Sequence, residues 1–497
     1  MKCFIINDYD DIKKINDKSE RGEMPAKVEQ DVFRLMIGGY IEADESYDDY
    51  NGYSHQTVYS TRQYDLKSEN CVVLKGVLVG YYRSGSVFIL KSLNTEFRYP
   101  ETWAKEILFY SPKKAKSAVF GEVDNEEKAN VAILEVPEGV EEVKTGGYKN
   151  LAKLYLPSSL KRIIFNFSYC KNLKEVYFAG SASDWARVEF DGEKSNPSYV
   201  GAEVYIEGKV LTYADISAEK INAYAFANFK RLEEVRLSKT AVLSPYAFER
   251  CSSLKRIVLS DGIKEIPDGC FWGGAALEEV VLPDGVERIG VHAFAGAGFK
   301  KIVFPADLQV IDKKAFDNCV NLEEAELPAR LKTVKEYAFY GNNNLRSVRS
   351  VGNDLERVET YAFAYCDSLE EVVFNDGLKE VGRECFASDK NLKTLVLPDS
   401  VEDLGALAVT DCFSLHYFKI PEKIKKFTSG SSAYAELFVP KGIERLDVDV
   451  YGDLVVRYEG TTKEFNALEY YLRFKEKTSV KVICADGEVT PKRTRLL

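Results

Sequence analysis

The sequence lacks the long apolar run that a membrane-spanning helix requires. No stretch approaches the ~20 apolar residues that cross a bilayer, and residues 1–20 have neither the basic start nor the apolar core of a secretory signal. We therefore expect no membrane insertion and a cytoplasmic protein, as the chain is given. A place at the cell surface, or secretion, would require an upstream signal that is missing from this sequence.

Histidine is scarce, and the motifs of common catalytic sites are missing. His55, His292 and His416 are the only histidines, and no motif surrounds any of them. The sequence contains no CxxC pair, no HExxH, no glycine-rich phosphate loop and no nucleophile elbow. We therefore expect no catalytic residues, no metal site and no cofactor. The alternative is an enzyme or switch activity confined to residues 1–130, the least regular part of the chain.

The chain also lacks an excess of positive charge. Its formal net charge is −11, and the acidic residues are dispersed rather than gathered in a tail. A protein of this charge is poorly suited to bind the phosphate backbone of a nucleic acid. Nucleic acid is therefore excluded as an expected partner.

A repeated unit of 22–24 residues dominates what is present. Its clearest copy is Leu277 to Gly298, LEEVVLPDGVERIGVHAFAGAG. A fixed period of this size predicts a solenoid, in which each coil buries its apolar face against its neighbours. The units begin at Leu232, Leu254, Leu277, Phe299, Leu322, Leu345, Leu369, Leu392 and Leu415.

Each unit has the same apolar slots. Positions 1, 4 and 6 suit a short strand with one buried side, as in Leu277, Val280 and Leu282, and a proline often follows and ends the ladder. Two more inward residues come next, and then a small residue precedes a phenylalanine. We predict that these rings stack into a continuous core: Phe248, Phe271, Phe294, Phe316, Phe339, Phe363 and Phe386.

The pattern LPxxVxxIGxxAFxxC followed by LxxIxLP resembles the BspA-like, treponemal-type leucine-rich repeats. The resemblance covers about residues 131–450, although Val409 replaces the phenylalanine and the first units are degenerate. It implies an α/β leucine-rich-repeat solenoid that is horseshoe-like and strand-rich, with a parallel sheet and short 3-10 or irregular connections. It also implies protein binding and, in exported members, surface adhesion.

Seven of the ten cysteines follow the repeat, with Cys170 in an early unit. Cys251, Cys319, Cys366 and Cys412 lie three residues after the Phe or Val slot, and Cys270 replaces the small alanine, as does Cys385. Cysteine behaves as a small apolar residue in such places. We predict buried, reduced cysteines rather than disulfides.

The pattern divides the chain into three predicted parts. Residues 1–130 form a small N-terminal α+β region of unknown role, with strand and helix patterns before residue 37 and a hairpin after Cys71. Residues 131–453 form the solenoid, with a strand–helix–hairpin insert at about 176–212, and residues 454–497 form a capping module. Ser181–Asp184 and Thr461–Glu464 have capping-box spacing, which predicts two helix starts. Trp185 and Phe465 are predicted core anchors.

Charge alternates along the second and third positions of successive units. We predict that these side chains form an exposed strand face with opposite charges side by side, about 4.8 Å apart, in one parallel sheet over 232–396. Cross-strand pairing is the favoured interpretation, and a binding face of mixed charge is the alternative. The candidate residues are Glu278, Glu279, Lys300, Lys301, Glu323, Glu324, Glu370 and Glu371.

These features favour a non-catalytic leucine-rich-repeat scaffold for protein–protein interaction. The expected partner is a protein, with a glycan as the less favoured choice. A surface adhesin or antigen of the BspA-like type is the alternative if the protein is exported.

Overall fold

A computed structural model gives the fold. It describes the backbone of seven short strands between residues 58 and 120, and then residues 133–136, 138–144, 149–239, 242–474 and 478–491. The predictions for residues 1–57 lie outside the described residues. The chain forms two compact units, the first from residues 1–211 and 222–229 and the second from residues 212–221 and 230–497. The predicted division after residue 130 is not tested by this split and stays a prediction.

The first unit begins with an antiparallel sheet. Its strands are β1 (Val58–Tyr59), β2 (Val72–Leu74), β3 (Val77–Tyr81) and β4 (Phe88–Ser92), paired in that order. The predicted hairpin after Cys71 is confirmed by the antiparallel register of β2 and β3.

Two parallel sheets follow in the first unit. One contains β6 (Glu106–Ile107), β8 (Ile133–Glu135), β10 (Lys153–Leu156), β12 (Glu175–Phe178) and β14 (Glu203–Ile206), closed by antiparallel β15 (Lys209–Val210). The other contains β5 (Glu96–Tyr99), β7 (Ser117–Phe120), β9 (Glu142–Lys144), β11 (Arg162–Ile164) and β13 (Glu189–Phe190). Parallel pairing thus starts upstream of residue 131, where the sequence predicts the first repeat.

The second unit repeats this arrangement at greater length. Every coil except the one that begins at Phe299 offers a strand from the predicted slots. These strands form three separate sheets, interrupted after residues 281 and 396, which we call together the first-strand sheet. It consists of β16 (Tyr213–Ile216), β18 (Glu234–Leu237), β20 (Arg256–Val258), β22 (Glu279–Val281), β25 (Glu324–Leu327), β27 (Ser347–Ser350), β29 (Glu371–Val373), β31 (Thr394–Val396), β33 (Tyr417–Lys419), β35 (Glu436–Val439), β37 (Leu454–Tyr458), β39 (Val480–Cys484) and antiparallel β40 (Gly487–Val489).

The second of the two inward residues in each coil, together with the residue before it, forms a second strand that has two residues in most coils. These strands build three separate sheets, interrupted after residues 243 and 404, which we call together the second-strand sheet of the second unit. It consists of β17 (Lys220–Ile221), β19 (Val242–Leu243), β21 (Glu265–Ile266), β23 (Arg288–Ile289), β24 (Val310–Ile311), β26 (Thr333–Val334), β28 (Arg357–Val358), β30 (Glu380–Val381), β32 (Asp403–Leu404), β34 (Lys426–Ser432), β36 (Arg445–Val450) and β38 (Glu469–Phe474). The predicted parallel, strand-rich solenoid is confirmed.

A third ladder joins the coils at the phenylalanine slot. The backbone N–H of Phe294 donates to the carbonyl oxygen of Ala315 in the next coil at 2.8 Å, and Phe316 donates likewise to Ala338. The residues two positions before these rings, such as His292 and Lys314, have φ near +55°. Left-handed backbone costs a non-glycine residue about 1–2 kcal/mol, and here the hydrogen bonds between coils hold it in place.

Helices are short and begin where predicted. Helix α1 (Ala182–Trp185) starts with a capping box between Ser181 and Asp184, and α2 (Thr462–Ala467) starts with one between Thr461 and Glu464. In each box the hydroxyl accepts a hydrogen bond from the backbone N–H of the acid three residues later. The carboxylate of that acid accepts one from the backbone N–H of the hydroxyl residue. Both predicted helix starts are confirmed. The other helices in the described part of the chain are 3-10 turns at Phe167–Tyr169, Glu193–Ser195 and Pro197–Val200.

The core follows the slots. Six consecutive ring pairs from Phe248 to Phe386 are parallel within 13°, with centroids 5.0–5.9 Å apart. All seven rings are at most 1% exposed. Trp185 is fully buried and its indole N–H donates to the carbonyl oxygen of Ala225 at 2.6 Å, while Phe465 is fully buried beside Tyr458. Both anchors are therefore in the core, as predicted.

Candidate interaction surface

The outward face of the first-strand sheet carries the candidate residues. Side chains alternate across a strand, so the third and fifth positions of each unit face away from the core. All eight charged candidates are exposed or half-exposed on this face or at its edge. In the second unit we call this the exposed strand face, and it consists of the third and fifth positions of the units that begin at residues 232–415.

Charged side chains on this face pair between neighbouring coils. Arg256 lies 3.5 Å from Glu234 and 3.0 Å from Glu279, on the strands either side of its own. At the edge of this face, in the second position of their units, Lys393 reaches Glu370 at 2.7 Å. The hydrogen bond with Lys393 lowers the pKa of the Glu370 carboxyl. Exposed pairs of this kind contribute little to stability because water and salt screen them, so their main effect is to neutralise the strip.

The sheet is broken between β22 and Lys301, which corrects the prediction of one continuous sheet over 232–396. Lys301 forms a single bridge with Glu324, and residues 302–304 form no strand. Among the described residues no ion pair joins Glu278 or Glu279 to Lys300 or Lys301. Both lysines pair only with the following coil. Lys300 lies 4.0 Å from Glu323, and Lys301 lies 3.8 Å from Glu324.

A missing residue explains the break. Phe299 follows Phe294 by five residues, whereas Leu277 and Leu322 each follow their ring by six. The shortened connection passes so close to the previous coil that a Cβ on Gly298 would lie 2.1 Å from the carbonyl oxygen of Ala275. Val280, predicted to point inward, is half-exposed at this edge as a result.

Apolar side chains are also exposed on this face. Val281 is 44% exposed and Val303 is 73% exposed, one on each side of the break. Val396, Tyr417 and Phe438 extend the apolar surface in later coils. The exposed strand face thus combines neutralised charge with apolar area, a composition typical of protein-binding surfaces.

The corresponding face of the first unit carries a tyrosine ladder that sequence reasoning missed. Tyr155, Tyr177 and Tyr205 are direct register partners on β10, β12 and β14. Their ring centroids are 4.8 and 4.6 Å apart, and the ring planes lie within 21° of each other. The signal was present: each tyrosine directly precedes the last apolar slot of its unit. We call these three residues the tyrosine ladder.

Acidic neighbours fix the ladder. The hydroxyl of Tyr177 donates to Glu175 at 2.9 Å, and Lys153 lies 2.7 Å from the same carboxylate. The hydrogen bond from Lys153 lowers the pKa of the Glu175 carboxyl, and the bond to Glu175 raises the pKa of the Tyr177 hydroxyl. The rings are half-buried and held in one orientation.

The histidines of the described chain are separate. His292 stacks on Trp272, with centroids 5.3 Å apart, and burial lowers the pKa of its imidazole. His416 is exposed, with Nδ1 3.1 Å from the carbonyl oxygen of Ala433. His55 lies outside the described residues.

Metal ligands and membrane spans were also sought in the described residues. No group of three or more His, Cys, Asp or Glu side chains is placed to hold a metal ion there. Within the same residues, every helix is too short or too polar to cross a bilayer.

Comparison with known proteins identifies the repeats. A family model described as the BspA type leucine rich repeat region matches residues 208–323 and 309–437, in six copies. A parallel solenoid built on this slot pattern is a leucine-rich-repeat structure. Residues 208–437 belong to the BspA type of these repeats, which confirms the resemblance seen in the sequence.

Three solved structures are similar to this chain. A leucine-rich repeat protein from Bacteroides ovatus is 18% identical over 87% of this chain and 100% of its own, with a TM-score of 0.45. One from Eubacterium ventriosum is 15% identical over 62% and 86%, with a TM-score of 0.44. A leucine rich cell surface protein from Faecalibacterium prausnitzii is 16% identical over 83% and 97%, with a TM-score of 0.34. A comparison with curated proteins gave no significant match.

Proposed function

We propose that this chain is a non-catalytic scaffold that binds another protein through the tyrosine ladder of its first unit. The observation that carries the proposal is the stack of Tyr155, Tyr177 and Tyr205 on an outward sheet face. Tyrosine is enriched where binding energy is concentrated, because it offers a large amphipathic surface with little rotamer freedom to lose. The hydrogen bond from Tyr177 to Glu175 and the stacking of the rings reduce that freedom further.

The charges around the ladder support a protein partner. Lys153 and Glu175 lie beside the rings and pair with each other, and Glu203 accepts a hydrogen bond from the Tyr205 hydroxyl, so the rim of the ladder is polar and carries both signs of charge. A partner would meet a central aromatic strip with a polar rim, the arrangement found in protein interfaces. The BspA-type repeats beyond residue 208 are themselves typical of protein-binding solenoids.

The test compares two double variants. Tyr155→Ala with Tyr177→Ala removes two rings of the ladder. The control, Tyr337→Ala with Tyr361→Ala, removes a second half-buried stack at the turns of the second unit, with centroids 5.0 Å apart and a hydroxyl bond from Tyr361 to Glu384. Both lose a similar stack, so their melting temperatures should fall alike.

Partners captured from the source cell by the wild type, the ladder variant and the control are then compared by quantitative mass spectrometry. We expect the ladder variant alone to lose its main protein partner, with the Kd rising by roughly 30-fold for a loss of about 2 kcal/mol. Equal loss or equal retention in both variants would disprove a role for the ladder. Capture that survives protease treatment but not glycosidase treatment would show that the partner is a glycan rather than a protein.

A further inference from the structure

Four tyrosines of the second unit gather at the turns beside the phenylalanine stack. Tyr337 and Tyr361 each lie two residues before the stacked phenylalanine of their coil, with φ near +55°, and their ring centroids are 5.0 Å apart. The ring of Tyr340 lies 5.5 Å from that of Tyr337 and 5.1 Å from that of Tyr365. All four side chains are exposed or half-exposed. We call these four residues the tyrosine cluster.

Two members of the cluster are available for contact. Tyr337 is enclosed, because Tyr361 stacks on it and the Nζ of Lys314 lies 5.5 Å from its ring centroid. Tyr340 and Tyr365 are tilted by 50° to each other, so their rings meet at an edge rather than face to face. Tyr365 is 47% exposed. Both rings therefore present surface to solvent, and the enclosed pair supports them.

The hydroxyls of the cluster differ from those of the tyrosine ladder. In the ladder, two hydroxyls donate to acids of their own strands. In the cluster only Tyr361 has such a bond, to Glu384 at 2.5 Å. Within the described residues the hydroxyls of Tyr337, Tyr340 and Tyr365 bond to no other group. A tyrosine hydroxyl both donates and accepts, so these groups remain for a ligand.

A half-buried acid lies beside the free hydroxyls. Burial raises the pKa of the Tyr340 hydroxyl most, and the nearby Tyr365 and Asp317 raise it further. The side-chain amide of Asn318 donates to Oδ1 of Asp317 at 2.8 Å. No lysine or arginine of the described chain lies within ion-pair distance of this carboxylate. Asp317 is therefore held in place and can accept a hydrogen bond from a ligand hydroxyl.

We propose that the tyrosine cluster binds a neutral glycan. A sugar ring offers C–H groups that pack on aromatic faces, and hydroxyls that bond to tyrosine hydroxyls, carboxylates and amides. A protein partner fits less well, because a stable protein interface covers about 800 Å² on each side around an apolar core. The exposed residues next to the cluster are instead polar: Asn318, Asn343 and Asp367. The unpaired carboxylate of Asp317 disfavours an anionic glycan.

The first test measures binding of the full chain by isothermal titration calorimetry to three neutral glycans, laminarin, xylan and mannan, and to the anionic polygalacturonate. We expect a neutral glycan to bind and to change the tyrosine ultraviolet difference spectrum. Tyr340→Ala with Tyr365→Ala should raise its Kd at least about tenfold, whereas the control, Tyr155→Ala with Tyr177→Ala, should bind like the wild type. A wild type that binds none of the neutral glycans, or polygalacturonate alone, overturns the proposal.

The second test separates the hydroxyls from the rings. Tyr340→Phe with Tyr365→Phe keeps both rings and removes two free hydroxyls, so the Kd should rise about fivefold while the melting temperature stays unchanged. Tyr361→Phe is the matched control, because its hydroxyl is already bonded to Glu384. An unchanged Kd in the first variant, or an equal rise in the control, overturns the proposal.

The glycan site is separate from the tyrosine ladder, so the two proposals fail independently. Tyr337→Ala with Tyr361→Ala removes the base of the cluster and should lose the glycan while keeping the protein partner. Tyr155→Ala with Tyr177→Ala should lose the protein partner while keeping the glycan. Loss of the glycan in the ladder variant, at unchanged circular dichroism, would overturn the assignment to the cluster.

Discussion

The thiol of Cys319 donates a hydrogen bond to the carbonyl oxygen of Phe294, 3.0 Å away in the preceding coil. The thiols of Cys366 and Cys412 make the same bond to the backbone carbonyl oxygens of Phe339 and Phe386. In the coil between Cys319 and Cys366 the slot holds Asn342, whose amide donates to the carbonyl oxygen of Phe316 at 3.1 Å. In these four coils the slot therefore holds a small buried donor that ties adjacent coils, and cysteine is more than a spacer there, although Gly274 and Ala297 fill the same slot in two earlier coils.

Asp389 occupies the same slot, but its side chain has no hydrogen-bond donor when the carboxyl is ionised. It is fully buried; Oδ1 accepts from the N–H of Cys366 at 2.8 Å, and Oδ2 has no partner in the structure. Burial raises the pKa of its carboxyl well above the ordinary range. The folded chain therefore keeps a proton that the unfolded chain loses near pH 4.

We predict that Asp389→Asn stabilises the protein at neutral pH. The amide would supply the donor that Asn342 supplies in its coil. Below about pH 4 both states of the wild type are protonated, and as the pH rises toward the folded pKa the wild type alone loses stability. Thermal or urea unfolding should show a gain of at least about 1 kcal/mol at pH 7, with a smaller gain at pH 4. Equal stability at pH 7, or a gain that does not depend on pH, would contradict this assignment.

The sequence was sufficient for the slots and the register but not for the turns. The period and the Leu277-type strand slots place the first-strand sheet and the phenylalanine stack directly. The second strand was missed because Val286 and Ile289 show only two inward residues, too few for a strand pattern. The left-handed residues carry no signal, since tyrosine, histidine, lysine, glutamate and leucine all occupy that slot.

In the sequence, the only sign of the break in the sheet is the length of one repeat unit. The step from Leu277 to Phe299 is 22 residues, and the other step of this size, from Leu232 to Leu254, keeps its strands paired. What differs is where the residue is lost, between Phe294 and Phe299, and its effect depends on the close passage at Gly298. The tyrosine ladder was equally local: three units agree at the fifth position, but most later units place valine or a charged residue there.

We predict that Phe316→Ala severely destabilises the solenoid. The ring stacks on Phe294 and Phe339 and meets Phe299 and Phe304 edge-on. A coil fixed by ladders on both sides cannot collapse onto the cavity, so the free energy of unfolding should fall by about 3–5 kcal/mol. Val409→Ala, in the same slot of a coil without the ring, is the control and should cost less. Near-wild-type melting of Phe316→Ala would rule out the ring stack as a main source of stability.

We predict that the cysteines are free and protected. The eight described cysteines are buried and form no disulfide, and burial raises the pKa of the Cys319 thiol to about 12. Since the thiolate is the reactive form, at least eight thiols should react slowly with an aromatic disulfide reagent in the native protein. In denaturant without reductant nearly all ten should react at once. Fewer than eight reactive thiols in denaturant would show disulfides and would argue against a reducing compartment.

The last prediction tests the break at Lys301. Lys300→Glu with Lys301→Glu should destabilise the protein by about 0.2–1 kcal/mol at low salt, because the new acids face Glu323 and Glu324, and the loss should shrink as salt is added. Reversing the forward partners, Glu323→Lys with Glu324→Lys, in the same chain should recover the larger part of the loss. Reversing Glu278 and Glu279 to lysine instead should recover nothing, since they form no pair with residues 300 and 301, and should add a clash with Arg256, which lies 3.0 Å from Glu279. Melting temperatures of the three variants at low and high salt decide between the two directions. If reversing Glu278 and Glu279 recovered as much stability as reversing Glu323 and Glu324, or more, the strands would be shown to pair across the break.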